Sequence, residues 1–285
     1  MKLSHTTLLF VILSAFFITS LNAETRFGEA VHAPAITNLD AAHRGSTPEV
    51  VNQVAGTSYR CPGQPIPPGT VVTSIYNDSH CSFGSTRYFE YPYSGIYVCS
   101  SSPIPDGYVV PYITPVSYCN GLKAYKLITP TSNTSVCSIS PIPDPFVVTS
   151  IQTGGSACGT LNKYEIRSAY NGISACGFSA IPSGFVITDI SSSTNCGGVA
   201  NYTLKTESSP MYVCSNSPIP TGYVVDARRS GDCAGTGAME VLLPYNGIVV
   251  CPGSPVPSGW YIFGGAPTSK CGLGQNTGSV LKPNI

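Results

Sequence analysis

The twelve cysteines of this 285-residue chain recur at a nearly constant spacing. Counted alternately from Cys61, they lie about 38 residues apart, and each is followed by a second cysteine about 20 residues later, which is a fixed period typical of repeat proteins. In such proteins each copy folds into one small structural unit. The spacing therefore predicts six tandem units. The cysteines are Cys61, Cys81, Cys99, Cys119, Cys137, Cys158, Cys176, Cys196, Cys214, Cys233, Cys251 and Cys271.

The segment after the first cysteine of each unit has the composition of a turn followed by a strand. It reads PIPDGYVV at 103–110 and PIPTGYVV at 218–225, with variants in the other copies. Proline keeps the backbone extended, and aromatic and β-branched residues are typical of strands. Pro105-Asp106-Gly107 fits a type I turn with glycine last. The third copy has Pro145 in place of this glycine. Either the position does not require a left-handed residue, which we favour, or the third copy turns differently.

Two further strands are predicted in each unit. A polar loop with the second cysteine precedes an alternating run such as Tyr164-Glu165-Ile166-Arg167, and a short run such as Ile173-Ser174-Ala175 ends at the next cysteine. Asn171-Gly172 lies between these two runs, and Asn246-Gly247 lies at the same place in a later copy. Asn-Gly between strand-like runs is a strong hairpin signal. We therefore expect the last strand of one unit to pair with the first strand of the next.

These patterns predict an all-β fold, a tandem array of six three-stranded, disulfide-stapled units over residues 57–285. Counting from Thr57 places both cysteines of each pair inside one unit, which favours bonds within units. The other register joins Cys81 to Cys99 and so on, and leaves Cys61 and Cys271 to close a ring. The alternative architecture is a closed, six-bladed propeller-like ring, although propeller blades normally carry four strands.

Residues 1–23 have the pattern of a secretory signal peptide. Lys2 precedes an apolar run at residues 8–18, and small and polar residues lead to a cleavage point predicted near Ala23. The apolar run is shorter than the ~20 residues that span a bilayer. We expect a secreted protein (extracellular, periplasmic or at the cell surface) with oxidised cysteines. Residues 24–56 form a lead or cap segment, in which a short helix is predicted to begin at Thr47 and end near Gly56.

Charge and motifs argue against several classes of function. Charged residues make up 10% of the chain and the net charge is zero, so no basic surface for nucleic acid is expected. The histidines after the predicted signal peptide are His32, His43 and His80, and no nucleophile motif accompanies them. No cysteine or carboxylate spacing matches a metal site. We therefore expect no enzymatic activity, no cofactor and no bound metal.

Aromatic residues recur at two places in the repeat. One row, which we expect to lie in the core, is Tyr108, Phe146, Phe185, Tyr223 and Trp260. The other row supplies the candidates for partner binding, which are Tyr88, Tyr125, Tyr164 and Tyr202. The resulting hypothesis is a non-enzymatic module that presents a binding or adhesion surface to an extracellular glycan or protein. The alternative is a self-assembling structural protein of a coat, fibre or matrix. Asn77, Asn133 and Asn201 match the N-glycosylation pattern of eukaryotic secreted proteins.

Overall fold

A computed structural model of the chain describes residues 58–82, 84–272 and 274–284. The predicted signal peptide and the predicted helix after Thr47 lie outside these residues. The described part contains eighteen strands and no α-helix. The strands are β1 (Ser58–Arg60), β2 (Val71–Tyr76), β3 (Thr86–Glu90), β4 (Tyr97–Cys99), β5 (Val109–Pro115), β6 (Lys123–Ile128), β7 (Thr134–Cys137), β8 (Phe146–Gln152), β9 (Lys163–Ser168), β10 (Ile173–Cys176), β11 (Phe185–Ser192), β12 (Ala200–Thr206), β13 (Met211–Cys214), β14 (Val224–Arg229), β15 (Ala238–Leu242), β16 (Val249–Val250), β17 (Trp260–Pro267) and β18 (Thr277–Pro283).

The strands form six separate antiparallel sheets of three strands each. In every sheet the third strand of the unit lies in the centre, between the first and the second, as in the order β1-β3-β2. The predicted all-β array of six units is confirmed. Strand packing between units joins only sequence neighbours in the described residues, and no strand of the sixth unit packs against the first. The array is therefore open, and the closed ring is not observed.

Each unit contains its own disulfide. The bonds are Cys61–Cys81, Cys99–Cys119, Cys137–Cys158, Cys176–Cys196, Cys214–Cys233 and Cys251–Cys271. Their Cα atoms are 5.3 to 5.6 Å apart, which is the usual separation for a disulfide. Each bond ties the end of the first strand to the loop that leads into the central strand. Six disulfides indicate an oxidising, extracellular-type environment.

The expected pairing between consecutive units is wrong. Strand β10 follows Asn171-Gly172 but pairs with β12 of its own unit, whereas β9 pairs with β7 and β8. A type I′ hairpin turn needs positive φ at both central residues, and here only Gly172 has it, at 89°. The turn instead directs the chain into the next sheet, where the Gly172 N–H donates to the carbonyl of Leu204.

The turn before the second strand also differs from expectation. The Tyr108 N–H donates to the Pro105 carbonyl at 3.2 Å, and Gly107 occupies the third position with φ of 81°. This is the type II pattern, which does require positive φ. The inference drawn from Pro145 is therefore wrong, and the third copy turns differently. Its Asp144-Pro145 peptide bond is cis, as in type VI turns, and the Phe146 N–H still reaches the Pro143 carbonyl.

Neighbouring units pack through a contact that recurs at all five junctions. The inner face of one sheet covers the disulfide of the following unit. At the first junction Val72 and Phe89 form one buried cluster with Cys99 and Cys119. The second-strand residues at this position are 0 to 2% exposed, and they are Val72, Val110, Val148, Ile187 and Val225. The disulfides therefore serve as the apolar centre of each junction as well as closing a loop.

A serine three residues after the first cysteine completes each junction. Its hydroxyl accepts a hydrogen bond from the backbone N–H of the buried second-strand residue in the preceding unit, as from Val72 to Ser102 at 2.9 Å. The other pairs, all within 2.8 to 3.1 Å, are Val110–Ser140, Val148–Ser179, Ile187–Ser217 and Val225–Ser254. At four of the five junctions a hydrogen bond between two backbone groups also joins the units. At the first junction it runs from the Ile75 N–H to the Tyr118 carbonyl at 2.8 Å. These bonds provide acceptors for backbone N–H groups at the edge of the second strand that has no neighbouring strand in its own sheet.

We expect Ser102→Ala to destabilise the protein by about 1–3 kcal/mol, because it leaves the buried N–H of Val72 without an acceptor. Urea unfolding of the oxidised protein measures this change. The neighbouring Ser101→Ala is the matched control, since Ser101 is exposed while Ser102 is buried. Equal effects of the two substitutions would contradict the assigned role of the hydroxyl.

We expect Gly107→Ala to lower the free energy of unfolding by about 1–2 kcal/mol, because a Cβ is unfavourable in a left-handed backbone conformation. Gly264→Ala is the control. Both glycines have open space where a Cβ would lie, but Gly264 does not have positive φ. The urea midpoints of the two variants show whether the loss of stability comes from the left-handed backbone conformation or from the added methyl group itself. A stable Gly107→Ala variant would mean that this turn tolerates an L residue.

Candidate functional site

The outward face of each sheet can be read from the strand register. In the second unit Tyr97, Lys126 and Tyr112 lie side by side across the first, central and second strands. Tyr97 is 38% exposed and Tyr112 is 40% exposed. In the first unit the equivalent row is Tyr59, Tyr88 and Ser74. These rows face away from the junctions, because residues one step along each strand point to the opposite face.

Six tyrosines on the first two units form what we term the tyrosine surface. Its members are Tyr59, Tyr76, Tyr88, Tyr97, Tyr112 and Tyr118. Tyr76 is two residues beyond Ser74 on the same face and is 47% exposed. The ring centre of Tyr88 lies 6.3 Å from that of Tyr59 and 6.0 Å from that of Tyr76. These are ordinary separations for interacting aromatic rings.

Tyr118 connects the two units within this surface. It precedes Cys119 of the second unit, and its carbonyl accepts the hydrogen bond from Ile75 of the first. Burial raises the pKa of its phenol above the usual value, and the neighbouring Tyr97 and Tyr76 raise it further. Tyr118 is half-buried and packs against the cluster of the first junction, which contains Val72 of the first unit and Cys99 of the second. Tyr118 therefore links the first two units through their shared junction.

A carboxylate holds one end of the tyrosine surface in place. Asp78 accepts hydrogen bonds from the hydroxyls of Thr86 and Tyr88 (2.8 Å for Tyr88) and from the backbone N–H of His80 at 3.1 Å. The His80 ring lies 5.2 Å from the Tyr59 ring and its Nδ1 is 3.2 Å from Asp78 Oδ1. Asp78 thus holds the Tyr88 hydroxyl and the His80 ring, and the Tyr59 ring packs beside both of these rings.

The same contacts control ionisation at this end of the surface. The Thr86 hydroxyl, followed by Tyr88 and His80, holds the pKa of Asp78 at about 2, against the opposing effect of burial. The hydrogen bond to Asp78 raises the pKa of the Tyr88 phenol. At neutral pH the site therefore contains the negatively charged Asp78 carboxylate beside the neutral phenol of Tyr88. Such a group can accept hydrogen bonds from hydroxyl-bearing ligands.

The four tyrosines that the sequence proposed as partner-binding residues do not share one position. Tyr125 pairs with Ile113, and Tyr164 and Tyr202 hold the same register, but Tyr88 is shifted by one residue and Arg87 takes their place. A shift of one residue moves a side chain to the other face of the sheet. The sequence contains the signal, because Tyr88 lies seven residues after its cysteine and the other three lie six residues after theirs.

The other three tyrosines are part of the packing between units. Tyr125, Tyr164 and Tyr202 are half-buried against core clusters. The Tyr164 ring lies 5.4 Å from that of Phe178 in the following unit. The row expected in the core behaves as expected, since Tyr223 is buried and Phe146, Phe185, Tyr108 and Trp260 pack against core clusters.

The outward rows of the later units are not aromatic platforms. The third unit has Ser135, Glu165 and Ser150, and the fourth has Ser174, Thr203 and Asp189. The fifth unit has Tyr212, but the Arg229 guanidinium lies 4.0 Å from the centre of its ring. The fold therefore does not need tyrosine at these positions. The exposed row was not predicted from the sequence, because only residues shared by many copies stand out in a repeat.

We also searched the rest of the described chain for a ligand cavity, a metal site and a membrane-spanning helix. An open cavity of about 930 Å³ lies between the fifth and sixth units, and Arg228, Arg229 and Asp232 line it together with serines and glycines. No group of three or more His, Cys, Asp or Glu side chains in the described residues could hold a metal ion. Among those residues no helix is long and apolar enough to cross a membrane.

Comparison of the chain with protein-family models, with curated proteins and with solved structures finds no match. The candidate function therefore depends on the tyrosine surface and on the open array that carries it.

We expect the first unit to lose stability as the pH falls from about 4 to about 2. The pKa of Asp78 falls from an ordinary 3.8 to about 2 in the folded protein, so its contribution is complete above 3.8 and is lost as the pH falls through 2. Asp78→Asn should have a smaller pH dependence in this range. Thermal unfolding at a series of pH values, with exposed Asp106→Asn as the control, measures the difference. Identical profiles for wild type and Asp78→Asn would contradict the assignment.

Proposed function

We propose that this protein is a secreted, non-enzymatic binding protein, and that its tyrosine surface binds an extracellular glycan. The observation that carries this proposal is the tyrosines in the outward rows of the first two units, half-buried Tyr59 and Tyr88 in the first and exposed Tyr97 and Tyr112 in the second. The third and fourth units have serine, threonine and acidic residues at these positions. Because those units fold without aromatic groups there, packing does not account for the tyrosines. Exposed aromatic residues that the fold does not need are typical of binding surfaces.

The chemistry of the surface suits a sugar. The face of an aromatic ring is the negative side of its quadrupole, and the C–H groups of a sugar ring present a weakly positive, apolar face to it. Asp78 adds a hydrogen-bond acceptor for hydroxyl groups, and Lys126, whose Nζ lies 5.9 Å from the Tyr97 ring centre, adds a donor. A few polar groups among aromatic rings give orientation as well as contact area.

The open, stapled array suits an extracellular location. Six disulfides are stable in an oxidising compartment, and the predicted signal segment would deliver the chain there. The sparse charge and zero net charge of the chain give it no overall electrostatic attraction to nucleic acid. Secretion itself is tested by sequencing the N-terminus of the exported protein, which we expect to begin near Glu24.

The decisive experiment is glycan binding by the oxidised protein and by a Tyr97→Ser and Tyr112→Ser double variant. These substitutions give the second unit the residues that the third unit already has, Ser135 and Ser150, so the fold should be retained. A glycan array identifies the sugar class and calorimetry then measures its affinity. We expect the double variant to bind at least about tenfold more weakly. Tyr170→Ser is the control, because Tyr170 is 55% exposed but lies outside the tyrosine surface.

Two results would contradict the proposal. One is binding of a glycan with equal affinity by the wild type and the double variant. The other is the absence of glycan binding together with capture of a protein ligand that the double variant no longer binds. The second result would keep the tyrosine surface as a binding site and change the class of partner.

A further inference from the structure

The second strand of the sixth unit is exposed at positions that are buried in every other unit. Ile262 corresponds to Val72 in the repeat, because the strand register is interrupted immediately after each of them. Ile262 is 55% exposed, whereas the residue at this position is at most 2% exposed in the first five units. Its neighbour Tyr261 is 40% exposed, although the equivalent Val71 is fully buried.

This exposed strand is also an edge. Strand β17 lies at one side of its sheet, in the order β16-β18-β17. At the five internal junctions the same edge is covered by the next unit, which supplies the serine hydroxyl and, at four of them, a backbone carbonyl. Within the described residues no unit follows the sixth. A hydrophobic edge strand of this kind is a template for pairing with another chain.

The first unit presents the other half of the same junction. Its first cysteine, Cys61, is partly exposed, whereas the first cysteine of each later unit is at most 1% exposed beneath the preceding sheet. Strand β1 and the Cys61–Cys81 disulfide thus occupy the place that is covered at the internal junctions. Each chain therefore has both halves of a contact that it already uses five times, one half at each end of the array.

From these two faces we propose that the protein associates end to end, with the first unit of one copy packed on β17 of a second copy. The contact continues the established junction, so its occupant is a second copy of this chain. The two halves differ from each other, so the association is head-to-tail and does not close as a symmetric dimer. Repetition of the contact would give a linear chain of arrays.

Arg60 of the first unit adapts the contact to association between two copies. Arg60 holds the position of Val98, which packs in one cluster with Val71, so in the assembly Arg60 would face Tyr261. A guanidinium group packs favourably on an aromatic ring. Gln64 holds the position of the junction serines, and its side-chain oxygen accepts a hydrogen bond from the Cys61 N–H of its own unit at 2.9 Å. A charge at the end of the array also keeps this face more soluble than a valine would.

Sedimentation velocity of the oxidised chain without its predicted signal segment tests the proposal over about a hundredfold range of concentration. We expect wild type to form species that grow with concentration. Ile262→Glu blocks the sixth unit and Arg60→Glu blocks the first, and each alone should weaken association at least about tenfold. An equimolar mixture of the two variants should form a one-to-one complex and nothing larger, because each variant retains one functional face.

The control for charge and exposure is Tyr170→Glu, since Tyr170 has the same 55% exposure as Ile262 and lies away from both ends. It should associate like wild type. The proposal would be overturned by a wild type that stays monomeric throughout, by association that is insensitive to Ile262→Glu, or by an Arg60→Glu variant that still dimerises alone. The last result would mean that the sixth units pair with each other. Glycan binding is measured on different side chains, so each proposal can fail separately.

Discussion

The contact between one sheet and the disulfide of the next unit is the interaction on which this structure depends. A unit of about 38 residues is too small to bury enough apolar surface on its own. The disulfide limits the freedom of the unfolded chain, in the chain-entropy model by roughly 3 kcal/mol for a loop of this length. The same sulfur atoms then form the centre of a junction with the preceding sheet. One pair of cysteines thus stabilises both the unit and its attachment to the array.

In this arrangement one face of each sheet packs against the next unit and the other face points outward. The inner face and the second-strand edge belong to the junction, and their residues are nearly invariant in character: a buried valine or isoleucine, a disulfide and a serine hydroxyl. The outward rows lie on the opposite face of the sheet from the junction clusters, so their residues can differ between copies. Aromatic groups gather on the first two units and are absent from the outward rows of the third and fourth. Because the outward face does not have to preserve the junction, its residues are the ones that can vary to bind a partner.

The repeat period of the sequence predicted the number of units, strands and disulfides. It did not predict the order of strands in each sheet or the face on which a side chain lies. Six units, three strands in each and a disulfide in each follow from cysteine spacing and strand composition. The central place of the third strand does not, because Asn171-Gly172 is compatible with either a hairpin or a connection between sheets. The inference from Pro145 was wrong for a related reason. A type VI turn with a cis proline and a type II turn with a left-handed glycine both bring the N–H of the fourth residue to the carbonyl of the first. Tyr88 was grouped with Tyr125, Tyr164 and Tyr202, but it lies one residue further along its strand and therefore on the opposite face, since strand side chains alternate with a period of two.

The two ends of the array present the same kinds of face that form the internal junctions. A junction that joins unlike faces can repeat without limit, and a chain of such units always has one open face of each kind. A soluble repeat protein usually covers these faces with polar residues. At the contact positions the first unit has Arg60 and Gln64, whereas the sixth unit has Tyr261 and Ile262. The asymmetry argues that the sixth face is used. If it joins the first unit of another copy, each added chain places another tyrosine surface along the assembly, and many weak contacts with an extended glycan could act together.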